Sequence, residues 1–308
     1  MPTPIITDGT TDRVPNAPRV VLPAAPTFAD RAARFAQLAR GHALGDFLQL
    51  MGHIAQAQYD VFALRPAATP SAEAVQRSRD YGMPPLSALS TPRDAGWRTD
   101  LREIVQRVRA AGGPVGALDA VAALTDAEAE ALADRILAGS TLDADAALVP
   151  FAGAALQVWF ARAAAALDVA ALEKFDVPTV CPVCATRPVA SVVHLGGERN
   201  NLRYLHCALC GTEWNMARIQ CSACEEDKGV HYLSLSAPDG DGSDATATAR
   251  RAEACDECKT YLKIFYRDKD AYIDPVADDL ASLALDLLVD ERGFARSGPN
   301  MLFHPGSG

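Results

Sequence analysis

The sequence predicts an α+β protein: an all-α-helical N-terminal domain, two tandem zinc-ribbon-like metal-binding modules, and a C-terminal helix. Three observations carry this reading. Helical periodicity runs through residues 28–177, with no clear strand among them. All eight cysteines lie between Cys181 and Cys258, as four Cys-x-x-Cys pairs. Alternating runs bounded by turn residues lie beside those pairs and suit strands. The expected segments are an arm at 1–27, the helical domain at 28–177, a first ribbon at 178–220, a second at 221–274, and a helix with its tail at 275–308.

Composition agrees with a globular protein that buries a core. The chain is 49% hydrophobic and 22% charged, with a mean hydropathy of zero, which suits a soluble protein of about two domains. The N-terminus has no basic region followed by an apolar run, and no stretch approaches the ~20 apolar residues of a membrane span. The expectation is therefore a cytoplasmic protein without membrane contact. In that compartment Cys-x-x-Cys pairs bind metal more often than they form disulfides.

Taken in order, residues 1–26 are rich in Pro and Thr and read as a surface arm. Phe28, Ala32, Phe35 and Ala39 share one helical face, with Arg31, Arg34 and Arg40 off it. A second helix is expected over 46–64, closed by Pro66 and Pro70. Residues 82–97, with three prolines, read as a loop. Leu101, Ile104, Val105 and Val108 mark a third helix, stopped by Gly112-Gly113-Pro114. Thr125 and Glu128 form a capping box that opens a helix ending at Gly139. A last helix or helix pair covers 146–175, before Pro178.

Each ribbon reads as knuckle, strand, loop, strand, knuckle, strand. Pro188–Val193, Leu202–Leu205 and Thr212–Ile219 supply the strands of the first; Val230–Leu235 and Thr260–Tyr266 belong to the second, around a polar loop at 238–244. A Cys-x-x-Cys turn aims two sulfurs at one point, half of a tetrahedral shell. Sequential pairing gives two sites: Cys181, Cys184, Cys207 and Cys210, then Cys221, Cys224, Cys255 and Cys258. Interleaved pairing would require the hairpins to swap knuckles. Four thiolates suit zinc or a single iron, and the sequence does not decide between them. A closed shell leaves no place for a reactive water.

After the ribbons, Leu280, Leu283, Leu287 and Leu288 stripe one helix over 275–292, with Asp278 and Asp279 in its first turn. An acid pair could serve catalysis or magnesium, but capping against the helix dipole explains it with less. The tail from Gly298 is read as a docked extended segment or a loose end. The histidines form no motif, and no phosphate loop or nucleophile elbow is present. The chain is not expected to be an enzyme.

The block Cys181-Pro-Val-Cys184, Arg203-Tyr-Leu-His-Cys-Ala-Leu-Cys-Gly-Thr-Glu-Trp214, Arg218-Ile-Gln-Cys-Ser-Ala-Cys-Glu225, Cys255-Asp-Glu-Cys-Lys-Thr-Tyr-Leu-Lys-Ile264 and Asp278-Asp-Leu-Ala-Ser-Leu-Ala-Leu-Asp286 resembles the formate dehydrogenase accessory protein family, FdhE. Gly41-His-Ala-Leu-Gly-Asp-Phe47 in the helical half does too. The resemblance implies a cytoplasmic maturation factor with rubredoxin-like metal sites. It would bind the catalytic subunit of a molybdenum- or tungsten-dependent respiratory formate dehydrogenase before twin-arginine export. One departure stands out. Rubredoxin knuckles usually place Gly after the second cysteine; here only Gly211 does, while Ala185, Glu225 and Lys259 hold the other places.

The aromatics beside the knuckles, Tyr204, Trp214 and Tyr261, are candidate partner anchors, or else the ribbons' own small cores. A nucleic-acid-binding zinc ribbon is the main alternative, and a redox or metal-sensing protein another. The net charge of −10, falling towards about −14 with two divalent four-thiolate sites, opposes nucleic acid. A basic patch of Arg199, Arg203 and Arg218 stands against that argument. Homo-oligomerisation stays open.

Overall fold

The computed structural model describes residues 17–67, 69–235 and 248–306. Among the described residues, seven α-helices build the first half: α1 (Pro26–Leu38), α2 (Gly45–Phe62), α3 (Ala72–Tyr81), α4 (Gly96–Ala110), α5 (Val115–Ala122), α6 (Asp126–Ala138) and α7 (Val149–Ala165). Buried positions recur at helical spacing, as in Leu101, Ile104, Val105 and Val108 of α4. The Thr125–Glu128 capping box is formed, and Gly139 closes α6 in the left-handed conformation at φ 66°. Apolar periodicity alone did not reveal α3 and α5. α3 is a polar helix, announced only by its Ser71 cap and Gly82 stop. α5 has eight residues and follows Pro114 directly.

One sheet, rather than two separate ribbons, forms the other half. Its strands are β1 (Val20–Val21), β2 (Pro188–Val193), β3 (Arg203–Cys207), β4 (Glu213–Asn215), β5 (Val230–Leu233), β6 (Arg250–Cys255), β7 (Thr260–Tyr266) and β8 (Ala295–Arg296). They run in the order β1-β4-β3-β2-β7-β6-β5, with β8 also on β7. The first hairpin pairs antiparallel, Ser191 opposite Leu205, and so does the second, Glu253 opposite Leu262. They are welded by a parallel pairing of β2 with β7, Ser191 to Ile264 through Val193 to Tyr266. Nothing in a hairpin's own pattern announces a parallel partner. The sequence arm also contributes: Val20 and Val21 pair with Trp214 and Glu213, so residues 17–25 are not merely draped. Residues 1–16 and the 238–244 loop lie outside the described residues.

The core shows why the halves are inseparable. Phe35, Ile54 and Leu156 of the helices share one apolar cluster with Val189, Leu205 and the four cysteines of the first site. The second ribbon has a small cluster of its own, with Tyr261, Leu285, Val289 and Phe294.

The expected helix at 275–292 is two: α8 (Pro275–Leu280) and α9 (Leu283–Asp290). The break frees carbonyls that Lys263 Nζ takes up, from Asp279 at 2.8 Å and Ser282 at 3.1 Å. The tail docks without forming a strand: Met301 and Leu302 are buried, and His304 bridges Thr141 and Asp143. Gly153 makes room for it, since a Cβ there would lie 1.8 Å from Met301 O.

Asp278 accepts the Asp274 amide at 2.9 Å, but neither it nor Asp279 is the N-cap of α8. Asp274 is, accepting from the Val276 and Ala277 amides. Asp278 is fully buried between Arg34 of α1 and Arg250 of β6, each at 2.7 Å. Asp279, equally buried, meets Arg296 at 2.7 Å, Lys263 at 3.2 Å and Asn300 at 2.8 Å. Arg31 pairs with Asp274 at 3.1 Å. Arg31 and Arg34, expected off the core face, are therefore buried in a clasp between helices and sheet. The acid pair has no capacity left for magnesium or proton transfer.

Removing one partner of a buried pair leaves an uncompensated charge, which costs about 3 kcal/mol or more. Arg34→Met should therefore lower unfolding free energy by about 3 kcal/mol in denaturant titration, and helix and sheet signals should be lost together. Burial opposes ionisation of Asp279, but Arg296 and Lys263 outweigh it and hold the carboxyl below its usual range. Asp270, beside Arg34 and Arg250, is lowered for the same kind of reason. A carboxyl depressed in the fold adds stability that is complete above its unfolded pKa. That increment should be lost as pH falls below about 4, and acid unfolding followed by circular dichroism checks it.

Candidate metal centres

Four tight turns of one design build the sites. In three of them the amide of the first cysteine bonds the carbonyl five residues on, Cys181 to Thr186, Cys207 to Thr212 and Cys221 to Glu226; in the fourth, Cys255 stands opposite Thr260 in the strand register. Amides inside the turn point at sulfur. Val183 N–H donates to Cys181 Sγ at 3.4 Å, Leu209 N–H to Cys207 Sγ at 3.3 Å, and Ala223 N–H to Cys221 Sγ at 3.4 Å. Such donors stabilise a thiolate before any metal arrives.

The turns meet two by two, in the sequential pairing. Cys181, Cys184, Cys207 and Cys210 form one cluster, and Cys221, Cys224, Cys255 and Cys258 the other; within each, all sulfurs lie within 4.8 Å of one another. In the first, Cys181 and Cys210 are 3.5 Å apart and Cys184 and Cys207 3.3 Å. In the second, the Cys221–Cys258 and Cys224–Cys255 distances are both 3.7 Å. A disulfide needs about 2.05 Å. A tetrahedral shell with metal–sulfur bonds of about 2.3 Å puts its sulfurs about 3.8 Å apart. The donor set and spacing therefore fit one four-coordinate metal ion per cluster, zinc or iron alike.

The knuckles reach this geometry although glycine follows only one of them. Gly211 has φ 73°, and Ala185, Glu225 and Lys259 adopt the same left-handed region at 63°, 66° and 55°. For residues with a Cβ this costs about 1–2 kcal/mol each. Backbone shape at the knuckles is thus retained against local preference.

The surroundings differ. The first site is wholly buried: Leu86 and Ala88 amides cap the Val183 and Cys184 carbonyls at 2.9 Å, and Gln157 of α7 bonds the Ala208 carbonyl at 2.8 Å. The second site lies at the sheet's far edge, with Cys224 exposed and Cys258 half-buried. Beside Cys258 and Cys210 stand the hydroxyls of Thr260 and Thr212, at 3.0 and 3.1 Å. Cys-x-Thr also follows Cys184, but Cys224 is followed by Glu225 and Glu226. That recurring threonine is a signal the sequence itself carries.

The candidate anchors are buried. Tyr204, Trp214 and Tyr261 are 0%, 4% and 3% exposed. The Tyr204 hydroxyl donates to Pro18 O at 2.6 Å, Trp214 Nε1 to Pro178 O at 2.7 Å, and the Tyr261 hydroxyl to Asp286 at 2.7 Å. Each ring ties its strand to the arm, the interdomain link or α9. The basic patch dissolves as well. Arg203 is buried against Glu253 at 2.6 Å, Arg199 pairs with Glu213, and Arg218 bonds Asn201. His206, next to Cys207, turns its Nδ1 to Glu213 at 3.3 Å, away from a ligand role at that nitrogen.

Family models cover almost the whole described chain. The FdhE N-terminal model matches residues 17–176, the central-domain model 180–218 and the C-terminal model 219–303. The chain belongs to the FdhE family. The Protein FdhE homolog of Pseudomonas aeruginosa is 40% identical over 292 residues, 94% of each chain. Its Pseudomonas putida counterpart is 40% identical over 294 residues, 94% of this chain and 92% of that one. Protein FdhE of Salmonella enteritidis is 36% identical, covering 90% of this chain and 88% of its own. The crystal structure of the FdhE protein from Pseudomonas aeruginosa matches with a TM-score of 0.80 and 38% identity. It covers 94% of this chain and 100% of that one. The central FdhE model spans the first cysteine cluster and the C-terminal FdhE model the second.

Burial pushes the Cys181 and Cys207 thiols well up, and the Cys221 thiol up to about 12. At Cys258 burial acts upward too, but the Thr260 hydroxyl and amide overcome it and lower the thiol to about 7. Each cluster thus holds at least one thiol protonated between pH 6 and 8, and metal must displace that proton. Affinity should fall at least about tenfold per pH unit on acidification, in competition with a chelator of known affinity.

Proposed function

We propose that the chain is a cytoplasmic, non-enzymatic accessory protein for assembly of respiratory formate dehydrogenase, binding the catalytic subunit before its export. The single observation that carries this reading is that FdhE models and relatives match across the helical part and both cysteine clusters. The chemistry supports it. Each cluster supplies a complete four-sulfur shell, suited to one zinc or iron ion that braces the sheet. The acid pair that might have served catalysis is buried and saturated by cations. Among the described residues no helix is long and apolar enough to cross a membrane.

Because Tyr204, Trp214 and Tyr261 are buried, the partner contact is assigned to an exposed apolar face. The end of α3 and the loop after it present Tyr81, Met83 and Leu89, at 76%, 52% and 75% exposure. The loop borders a cavity of about 480 Å³, lined by Met83, Pro84, Pro85, Pro92 and Trp159 and reaching Ala185 of the first knuckle. Exposed apolar groups around a concavity are what a protein partner covers. The reading of the sequence as a nucleic-acid binder loses support with the loss of its basic patch.

The test is co-purification with a formate dehydrogenase catalytic subunit. The wild-type chain should retain the subunit while showing no formate oxidation of its own. Met83→Asp and Leu89→Asp should each weaken retention about tenfold or more with two metals still bound. Retention that survives both changes would move the contact away from this face. Capture of nucleic acid instead of the subunit would overturn the assignment.

A further inference from the structure

We propose that the two cysteine sites divide their work: the first is a permanent staple, and the second is an exchange site where an incoming soft ligand displaces Cys224. The inference rests on the reading that both sites hold metal. The substitution needs no electron transfer. An incoming thiol gives its electron pair to the metal and its proton to the departing Cys224 sulfur, so coordination stays at four.

Three features of the chain separate the sites. The first is access. Cys181, Cys184, Cys207 and Cys210 are buried inside the main core, whereas Cys224 is exposed at a sheet edge. An attacking ligand can reach only the second shell without opening the core. The second is support. The carbonyls of Val183, Cys184 and Ala208, within the first site's turns, are held by Leu86, Ala88 and Gln157 from the helical half. At the second site, Cys224 lacks even the Cys-x-Thr hydroxyl that stands beside Cys210 and Cys258.

The third is strain. After the first site's two knuckles come Ala185 and Gly211; after the second's come Glu225 and Lys259. At the second site both residues bear the left-handed penalty of a Cβ, whereas at the first Ala185 bears it and Gly211 does not. The Glu225 amide bonds Cys221 O at 3.0 Å, which closes the turn around the sulfurs. A metal–Cys224 bond would be one tie on this turn beside its hydrogen bonds, so its loss would let the turn shed part of the strain. Residues at positive φ without Gly are the kind of feature that persists where surrounding structure demands it.

The test uses the full-length chain loaded with zinc and challenged with a chromogenic chelator, with cysteine alkylation mapped by mass spectrometry. One zinc should leave at least about tenfold faster than the other, together with alkylation of Cys221, Cys224, Cys255 and Cys258. Glu225→Gly should slow that phase about fivefold, and Glu225→Ala, which removes the charge but keeps the strain, should leave it nearly unchanged. Equal release from both sites, or faster release from the first, overturns the division. Equal behaviour of Glu225→Gly and Glu225→Ala overturns the role of strain. Fewer than two zinc ions per chain at the outset would sink the metal reading itself, which is a separate failure.

Discussion

Asp278 and Asp279, on the six-residue helix α8, bring together groups that are far apart in the chain. Asp278 takes Arg34 from the first helix and Arg250 from the second ribbon. Asp279 takes Lys263 and Arg296 from the two neighbouring strands β7 and β8, and Asn300 from the tail. Both carboxylates are fully buried, and each is surrounded by the cations that pair with it. Such a cluster is poor as a source of net stability, since desolvation offsets much of the attraction. It is a strong constraint on arrangement: every alternative packing strands a charge. The relative placement of helices, sheet and tail depends on it.

That constraint explains why the two metal ribbons do not behave as beads on a string. A four-sulfur ribbon alone is too small to bury a core and depends on its metal. Here the parallel weld of β2 to β7 makes one sheet, and the helices cover its first half. The first site becomes part of a large apolar core and is held by the packing around it, whatever metal its sulfurs take. The second keeps only the small cluster around Tyr261 and Phe294 and an edge open to water. Two sites with nearly the same knuckle backbone thus acquire different exposure and different neighbours. The difference comes from what packs on them.

The buried aromatics fit the same picture. Tyr204 anchors the incoming arm, Trp214 the segment between helices and ribbon, and Tyr261 the last long helix. A ring that spends its hydrogen-bonding group on an internal carbonyl or carboxylate has no free polar tip to offer a partner. Exposed apolar side chains lie instead at the end of α3 and in the proline-rich loop after it, at Tyr81, Met83 and Leu89. Loops carried on a rigid scaffold are a usual place for binding residues.

The sequence by itself determined the elements whose cause is local. Cys-x-x-Cys spacing makes a knuckle wherever it occurs, so the cysteines and their sequential pairing were legible. So were the capping box at Thr125, the helical stripes of α1, α2 and α4, and the strands flanking the knuckles. Only the tertiary structure decided features that depend on a distant partner. Arg31 and Arg34 sit off the apolar stripe, as solvent-facing residues do, and are buried because α8 brings carboxylates to them. Val20 and Val21 are too short a run to announce a strand, and become one because Trp214 and Glu213 present a free edge. Glu225 and Lys259 read as departures from a glycine rule, yet the turn forces them to the same left-handed backbone as Gly211. Local preferences amount to about 1–2 kcal/mol per residue, and a turn closed by its hydrogen bonds and held in a sheet can overrule them.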